Sequence, residues 1–409
     1  MKGILSHKRV KSQLKFDAQR AYHHIAQLAF PRAVGSTGES KARTYIVEQL
    51  SWFGLHVDEE AFQFTLFPAE FLPRLVSAVF TVAVIIVCWI VTSHPIYASL
   101  LCMSLLLISL ALTRWKRSLE WLYNVGKMHA STNIIGRTNT SSEAILDLIF
   151  IAHYDSKSQI LPIAVRALCY CVAVVGMIGL TLLTILQIPF HNRLPSLLIW
   201  GVGGCICLCL TLLQFNFTQN RSPGAFDNAS GVGVLLELAQ SLIKSKSAET
   251  EFSHANIRLT FLSPGAEEYG MCGALRWIQR HAHEYHPDRT YVINLDGVGA
   301  TGKITLITRY GIPPLVTSKR LGRMIRECGT EIGIDVSEIY SPAGVGYDGI
   351  PIASRGFETV TLSAGGFGGA TMKIHSKRDG IDLIDQDSLQ QVGDLIVHFV
   401  NALNPRKAI

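Results

Sequence analysis

The chain has 409 residues, enough for two or three average domains or for one large α/β domain carrying insertions. Hydrophobic residues make up 48%, charged residues only 17%, and the mean hydropathy is +0.28, all of which sit badly with an ordinary soluble enzyme. The net charge of +6 is scattered, with no Lys/Arg run of the kind that marks a nucleic-acid surface, so no nucleic-acid partner is expected.

The N-terminal segment is basic and lacks the apolar core of a signal peptide. Residues 16–29 and 40–53 predict two helices broken by Pro31 and Gly35, the second with Ser40 as cap and Gly54 as stop. A strand follows from His56. Four uncharged apolar runs then approach the ~20 residues that cross a bilayer. They cover 75–93, 96–113, 167–186 and 197–213. Four such runs in pairs exceed what a soluble core supplies. They predict two transmembrane hairpins, turning at Ser93-His94-Pro95 and at 189–193, each returning the chain to the side it left.

Lys and Arg near the membrane ends set the orientation. Arg74, Arg114, Lys116, Arg117, Lys127, Arg166 and Arg221 fall on the polar side, against Arg193 alone at the tips, which predicts a cytoplasmic polar domain. Sequons such as Asn139-Thr-Ser would matter only on the opposite side. Seven of the nine cysteines lie in the apolar runs, where cysteine acts as a small hydrophobe. The Cys205-x-Cys207-x-Cys209 spacing resembles a metal cluster, but its apolar flanks point to membrane packing. No disulfide framework is visible.

With the hairpins removed, strands and helices alternate. Ile145–Ala152, Asn256–Leu262, Tyr291–Leu295 and Thr359–Leu362 predict strands. Residues 230–245, 269–283 and 386–403 predict helices. The fold class is α/β: a mostly parallel mixed sheet with helices on both faces, plus four transmembrane helices in two inserted hairpins. The expected organisation is 1–74, 114–166 and 214–409 as the polar domain, with hairpins at 75–113 and 167–213.

In such sheets ligands bind beyond the carboxyl ends of the strands, and there the chemistry-bearing residues collect. His153-Tyr-Asp155 follows one strand; a carboxylate two residues on suits a ligand histidine's second N–H, yet the pair could equally be a surface strand end. Asp227-Asn-Ala-Ser-Gly231 opens a helix, where Asp and Asn also serve as caps. Glu267-Glu268 suits one metal ligand beside one base, or a solvated acidic turn. Asp296 ends a strand, and His375 is one of 14 histidines. Singly each is ambiguous, but together they supply imidazole and carboxylate donors for a metal centre.

The joint pattern resembles the co-catalytic zinc aminopeptidase family, which includes glutamate carboxypeptidase-like enzymes and glutaminyl cyclase. The match runs through His153-x-Asp155, Asp227-Asn-Ala-Ser-Gly, Glu267-Glu268-x-Gly, Asn294-Leu-Asp296 and His375-Ser-x-x-Asp379, and more weakly through Asp348-Gly-Ile-Pro351. The resemblance implies two zinc ions. His153 and Asp296 would hold one, Glu268 and His375 the other, with Asp227 bridging. Glu267 would be the general base that deprotonates a metal-bound water for attack on a peptide carbonyl, Asp155 would orient His153, and the 227–228 peptide would be cis. Two departures stand out. Ile374 replaces the aromatic residue that many relatives place before the last histidine, and about 70 residues separate Asp155 from Asp227 where relatives have a short loop.

The expected function is therefore a membrane-bound di-zinc exopeptidase, an aminopeptidase with a peptide substrate and the bilayer as partner. A glutaminyl cyclase-like acyltransferase, for which one zinc suffices, and a non-catalytic receptor or scaffold on the same fold are the alternatives. A transporter is disfavoured by the lack of charge in the apolar runs. Substrate side chain, oligomeric state and the metal used in the cell are left open.

Overall fold

Strand β3 (Leu146–Ile151) shows how the sequence builds the centre of the fold. All six residues are buried. Leu148 and Phe150 point into a core shared with helices on one face of the sheet, whereas Ile149 and Ile151 enter a second core on the other. A strand covered on both faces reads as a continuous apolar run rather than an alternating one.

The computed structural model describes residues 15–114, 117–138, 145–190, 195–247, 257–342, 345–365 and 368–403. The basic N-terminal start, the Asn139 sequon and the tip around Arg193 lie outside them. The chain divides into two units. One comprises 1–64, 128–158 and 220–409, the other 65–127 and 159–219. The second unit thus takes in more than the apolar runs alone.

In the first unit the sheet strands are β1 (His56–Thr65), β2 (Met128–Arg137), β3, β4 (Ile257–Ser263), β5 (Thr290–Leu295), β6 (Ile304–Tyr310), β7 (Leu315–Val316), β8 (Val336–Ser341) and β9 (Glu358–Ala364). Their order is β1-β2-β4-β3-β5-β9-β6-β8, with β7 beside β6. Strands β4, β3, β5 and β9 run parallel, as do β6 and β8. The β2–β4, β9–β6 and β6–β7 pairs are antiparallel. The sheet is therefore mixed but mostly parallel, as the alternating pattern predicts.

The helices are α1 (Ala18–Leu28), α2 (Thr37–Trp52), α3 (Leu72–Ile90), α4 (Pro95–Arg114), α5 (Ile163–Phe190), α6 (Ser196–Gln214), α7 (Ser230–Ser247), α8 (Cys272–His281), α9 (Leu321–Glu331), α10 (Gly349–Ala353) and α11 (Gln386–Ala402). Helices α1, α2, α7, α9 and α11 pack on one face of the sheet through Ile25, Ile46, Leu235, Ile325 and Leu395. Helices α8 and α10 pack on the other through Trp277, Ile278 and Ile352.

Helix α2 starts three residues earlier than the sequence reading. Its cap is Ser36, not Ser40. The Ser36 hydroxyl accepts from the Glu39 amide at 3.2 Å, while the Glu39 carboxylate accepts from the Gly35 amide at 2.6 Å. This is a variant of the Ser-x-x-Glu capping box in which Ser36 takes the Glu39 amide and Glu39 reaches back to the amide of the residue before the cap.

In the second unit, α3 to α6 pack around Val84, Val87, Cys88, Met177, Leu180 and Ile206. Small residues bring the helices together. A Cβ on Gly203 would lie 2.3 Å from the Cys88 sulfur, and one on Gly176 would lie 2.7 Å from Ile206. Such close approach at small residues is how helices associate where lipid removes the hydrophobic drive. Val79, Val82, Ile86 and Trp89 on α3 and Leu168, Val175 and Leu182 on α5 face outward and are exposed. Three helices, Phe67–Ile90, Ile163–Pro189 and Ser196–Gln214, are long and apolar enough to cross a membrane. The apolar part of α4, Pro95–Ala111, is shorter. Among the described residues Cys205, Cys207 and Cys209 join no cluster of metal-ligating side chains; the Cys207 thiol instead approaches the Thr81 carbonyl at 3.7 Å.

Candidate metal centre

Four parallel strands deliver the site. His153 and Asp155 follow β3, Glu267 and Glu268 follow β4, Asp296 follows β5, and His375 lies on the segment after β9. Asp227 sits at the entry to α7, after a left-handed turn at Gly224. There a Cβ would fall 2.6 Å from Ser156, so glycine is required for the close approach as well as for the φ of +59°.

Asp227 is the hub. One of its carboxylate oxygens lies 3.3 Å from His153 Nε2, and the other lies 3.3 Å from His375 Nε2. His375 Nε2 is also 2.9 Å from Glu268 Oε2. Two donor groups result: His153 with Asp227 and Asp296, and Asp227 with Glu268 and His375, each having its donor atoms within 4.8 Å of one another. Glu267 belongs to neither group; its carboxylate is 3.8 Å from His153 Nε2. The peptide between Asp227 and Asn228 is cis.

Asp155 does more than face His153. Its carboxylate is 3.6 Å from His153 Nδ1, which lies closer, at 3.2 Å, to the Asp155 backbone carbonyl. The carboxylate oxygens instead accept from the backbone amides of Glu267, at 3.1 Å, and Glu268, at 3.2 Å. The turn after β4 offers two orphan donors side by side, and a buried carboxylate satisfies both. His153 Nδ1 thus faces both the carbonyl and the carboxylate of Asp155, and that carboxylate also fixes the acidic pair.

Further residues support the site; Asn228, Asp348 and Asp379 stand in the motifs already quoted, whereas Lys157 and Arg32 escape a sequence reading. Lys157 lies with its ammonium 3.2 Å from Glu268 Oε2, donates it to the Glu268 carbonyl, and gives its amide to Glu268 Oε1 at 3.2 Å. Asp379 accepts from the amides of Phe226, at 2.7 Å, and Asp227, at 3.3 Å. Asn228 donates to the Leu295 carbonyl at 2.8 Å, tying the hub to the end of β5. Arg32 is fully buried and donates to the carbonyls of Leu28, Phe30, Tyr154, Pro223 and Gly224. Asp348 is buried with no hydrogen-bond partner on either carboxylate oxygen among the described residues. The tail of the His375-Ser-x-x-Asp379 motif was the one signal available for Asp379. Nothing local marks Arg32, which acts across long sequence distances.

The charges are out of balance in one direction. Asp155, Asp227, Glu267, Glu268, Asp296 and Asp348 face two imidazoles, Lys157 and Arg32. Burial pushes the Glu267 carboxyl well above the usual range, with Asp348, Glu268 and Asp296 adding to the shift. Burial likewise raises Asp296 to about 7, helped by Asp227 and Glu268. Burial opposes charge on His153, but Glu267, Asp155 and Asp227 overcome it and raise its proton affinity well above the ordinary value. A site that draws protons so strongly onto imidazole is one that draws cations. Nitrogen and oxygen donors in groups of three suit zinc, and the residues present therefore fit the metal.

An α/β sheet with shared imidazole–carboxylate donor groups above its carboxyl edge defines a metal-centre protein. Residues 133–400 match peptidase family M28, and the chain belongs to that family. It is 29% identical over 182 residues to the aminopeptidase YwaD of Bacillus subtilis, covering 43% of this chain and 36% of that protein. An aminopeptidase of Pseudomonas aeruginosa is 27% identical over 205 residues, covering 45% and 36%. The chain thus spans about a third of the length of these curated relatives. Among solved structures, a zinc aminopeptidase from Bacillus subtilis superposes with a TM-score of 0.55 at 18% identity, covering 95% of both chains. A leucine aminopeptidase precursor from Bacteroides thetaiotaomicron gives 0.56 at 16%, covering 95% of this chain and 98% of the other. A glutaminyl cyclase from Porphyromonas gingivalis gives 0.50 at 16%, covering 95% and 99%.

Proposed function

We propose that this protein is a membrane-bound zinc aminopeptidase whose centre holds two ions. The observation that carries the reading is the sharing of Asp227 between two complete donor groups. His153 and Asp296 would complete one ion's ligands, Glu268 and His375 the other's, with Asp227 common to both. Zinc there supplies Lewis acidity, polarising the scissile carbonyl and making a water acidic enough to attack near neutral pH. Glu267 takes the proton of the attacking water and delivers it to the leaving amine. Asp155 holds the backbone of Glu267 and Glu268 together, so the base and the ligand keep a fixed spacing. Lys157 restrains the Glu268 carboxylate at both oxygens.

The test is release of N-terminal residues from a peptide library by the detergent-purified protein, with zinc measured in the same sample. Two zinc ions per chain that depend on Asp227, and release that a chelator abolishes and added zinc restores, support the reading. Pyroglutamate formation by a one-zinc protein would replace it with the cyclase reading. A folded, metal-free, inactive protein would replace it with a scaffold.

The membrane part of the proposal is four spans with the peptidase unit in the cytoplasm. The apolar part of α4 rises about 26 Å at 1.5 Å per residue, against a hydrocarbon core of about 30 Å. A shortfall of a few ångströms is met by local thinning of the bilayer. The Lys/Arg bias toward the polar side supports the orientation. A cysteine placed at Ser93 should react with an impermeant maleimide in intact cells, and one placed at Lys303 only after permeabilisation, each above the wild-type background. The reverse pattern rules out the orientation.

A further inference from the structure

One other set of metal-ligating side chains converges, well away in sequence from the centre. Cys328 and Glu331 lie one turn apart on α9, and α11 brings His398 against them. The Cys328 sulfur, a Glu331 carboxylate oxygen and a His398 ring nitrogen all lie within 4.8 Å of one another. Glu331 Oε2 and His398 Nε2 are already 2.9 Å apart. Cys328 is fully buried, whereas the Glu331 and His398 side chains are 38% and 35% exposed. The cluster therefore has a closed thiol floor and a side open to water, through which an ion can enter. Burial pushes the Cys328 thiol up to about 12, with Glu331 and Glu327 adding to the shift, so the sulfur keeps its proton until a cation displaces it. Seven of the nine cysteines belong to the apolar runs. Of the remaining two, only Cys328 falls in such a cluster among the described residues.

We propose that Cys328, Glu331 and His398 form a separate site for one zinc-class divalent cation, pinning α9 to α11. Sulfur, nitrogen and oxygen donors from three side chains leave one position of a tetrahedral ion for water. The thiol proton passes to solvent as the sulfur binds, so each ion taken up releases one proton. The site is independent of the peptidase reading, since none of its residues belongs to the Asp227 centre.

Cobalt separates the two. The Asp227 centre offers only nitrogen and oxygen donors, so a thiolate-to-cobalt charge-transfer band in the near ultraviolet reports on Cys328. Full-length protein in detergent, stripped of metal and titrated with Co²⁺, should develop that band, its final amplitude that of one thiolate-bound ion per chain whatever the Asp227 centre takes up. The band should be lost in Cys328→Ser and in His398→Gln, the latter a surface-side change that leaves the core packing in place. Peptide release should be unchanged in both. A wild-type protein without the band overturns the proposal, and so does a band that persists in either variant.

Discussion

Glu267→Gln should leave the zinc content unchanged and lower kcat by about 10²- to 10⁴-fold, the range general-base catalysis supplies. The expectation rests on where Glu267 stands. It lies outside both donor groups, yet its carboxylate comes within 3.8 Å of His153 Nε2. Its backbone is pinned by Asp155, so an amide of equal size occupies the same place. Gln keeps the shape but cannot accept a proton at neutral pH. Peptide release and elemental analysis on the same preparation check it. Unchanged kcat would remove Glu267 from the role of base; loss of zinc would make it a ligand instead.

Asp227→Asn should lose more than any other single change at the centre. Its two carboxylate oxygens face the two histidines separately, at 3.3 Å each. A neutral amide presents one weak oxygen donor and a nitrogen that donates rather than accepts. Both ions should be lost, whereas His375→Ala should lose only the one it shares with Glu268. Folding stability reports the same event. An ion present at 100 times its dissociation constant stabilises the folded state by about 2.7 kcal/mol. In a Cys328→Ser background, which removes the separate site, adding zinc to metal-stripped protein should therefore raise the thermal midpoint of the otherwise wild-type chain and leave that of Asp227→Asn unmoved. A variant that still binds two ions would show that Asp227 is not shared.

His153, Glu267, Glu268 and Asp296 are legible because strands end at or just before them, whereas Asp227 opens a helix and His375 lies well beyond the end of β9. An apolar run that stops at His153 or at Asp296 has only a short way to go before its next side chain faces the carboxyl edge of the sheet. The capping motif at Ser36-Thr-Gly-Glu39 is equally local, but the adjacent Ser40 offers a competing cap in the sequence. Other features could not be read in this way. Strand β8 alternates poorly and lies at the edge of the sheet, so its burial pattern is weak. The carboxylate of Asp155 sits two residues from His153, which suggests a partnership. Only the folded turn reveals that the amides of Glu267 and Glu268, more than a hundred residues on, make the stronger claim. Arg32 gathers five carbonyls from three separate segments, and no spacing rule connects them.

The two excursions into apolar sequence have something in common at their roots. β1 and β2, which the first one joins, are neighbours in the sheet, and the rings of Phe64 and His129 are 6.0 Å apart. The second leaves after Ser158 and returns by Arg221, whose amide donates to the Ser158 hydroxyl at 2.9 Å. Each therefore occupies the place of an ordinary surface loop. The entropy of closing a loop rises only with the logarithm of its length, and a helical pair folded back on itself brings its own ends together. A peptidase scaffold can accept such a graft without altering the register of any strand beside the centre. The long apolar helices and the construction of the site are then separable inheritances, carried by different stretches of the same chain.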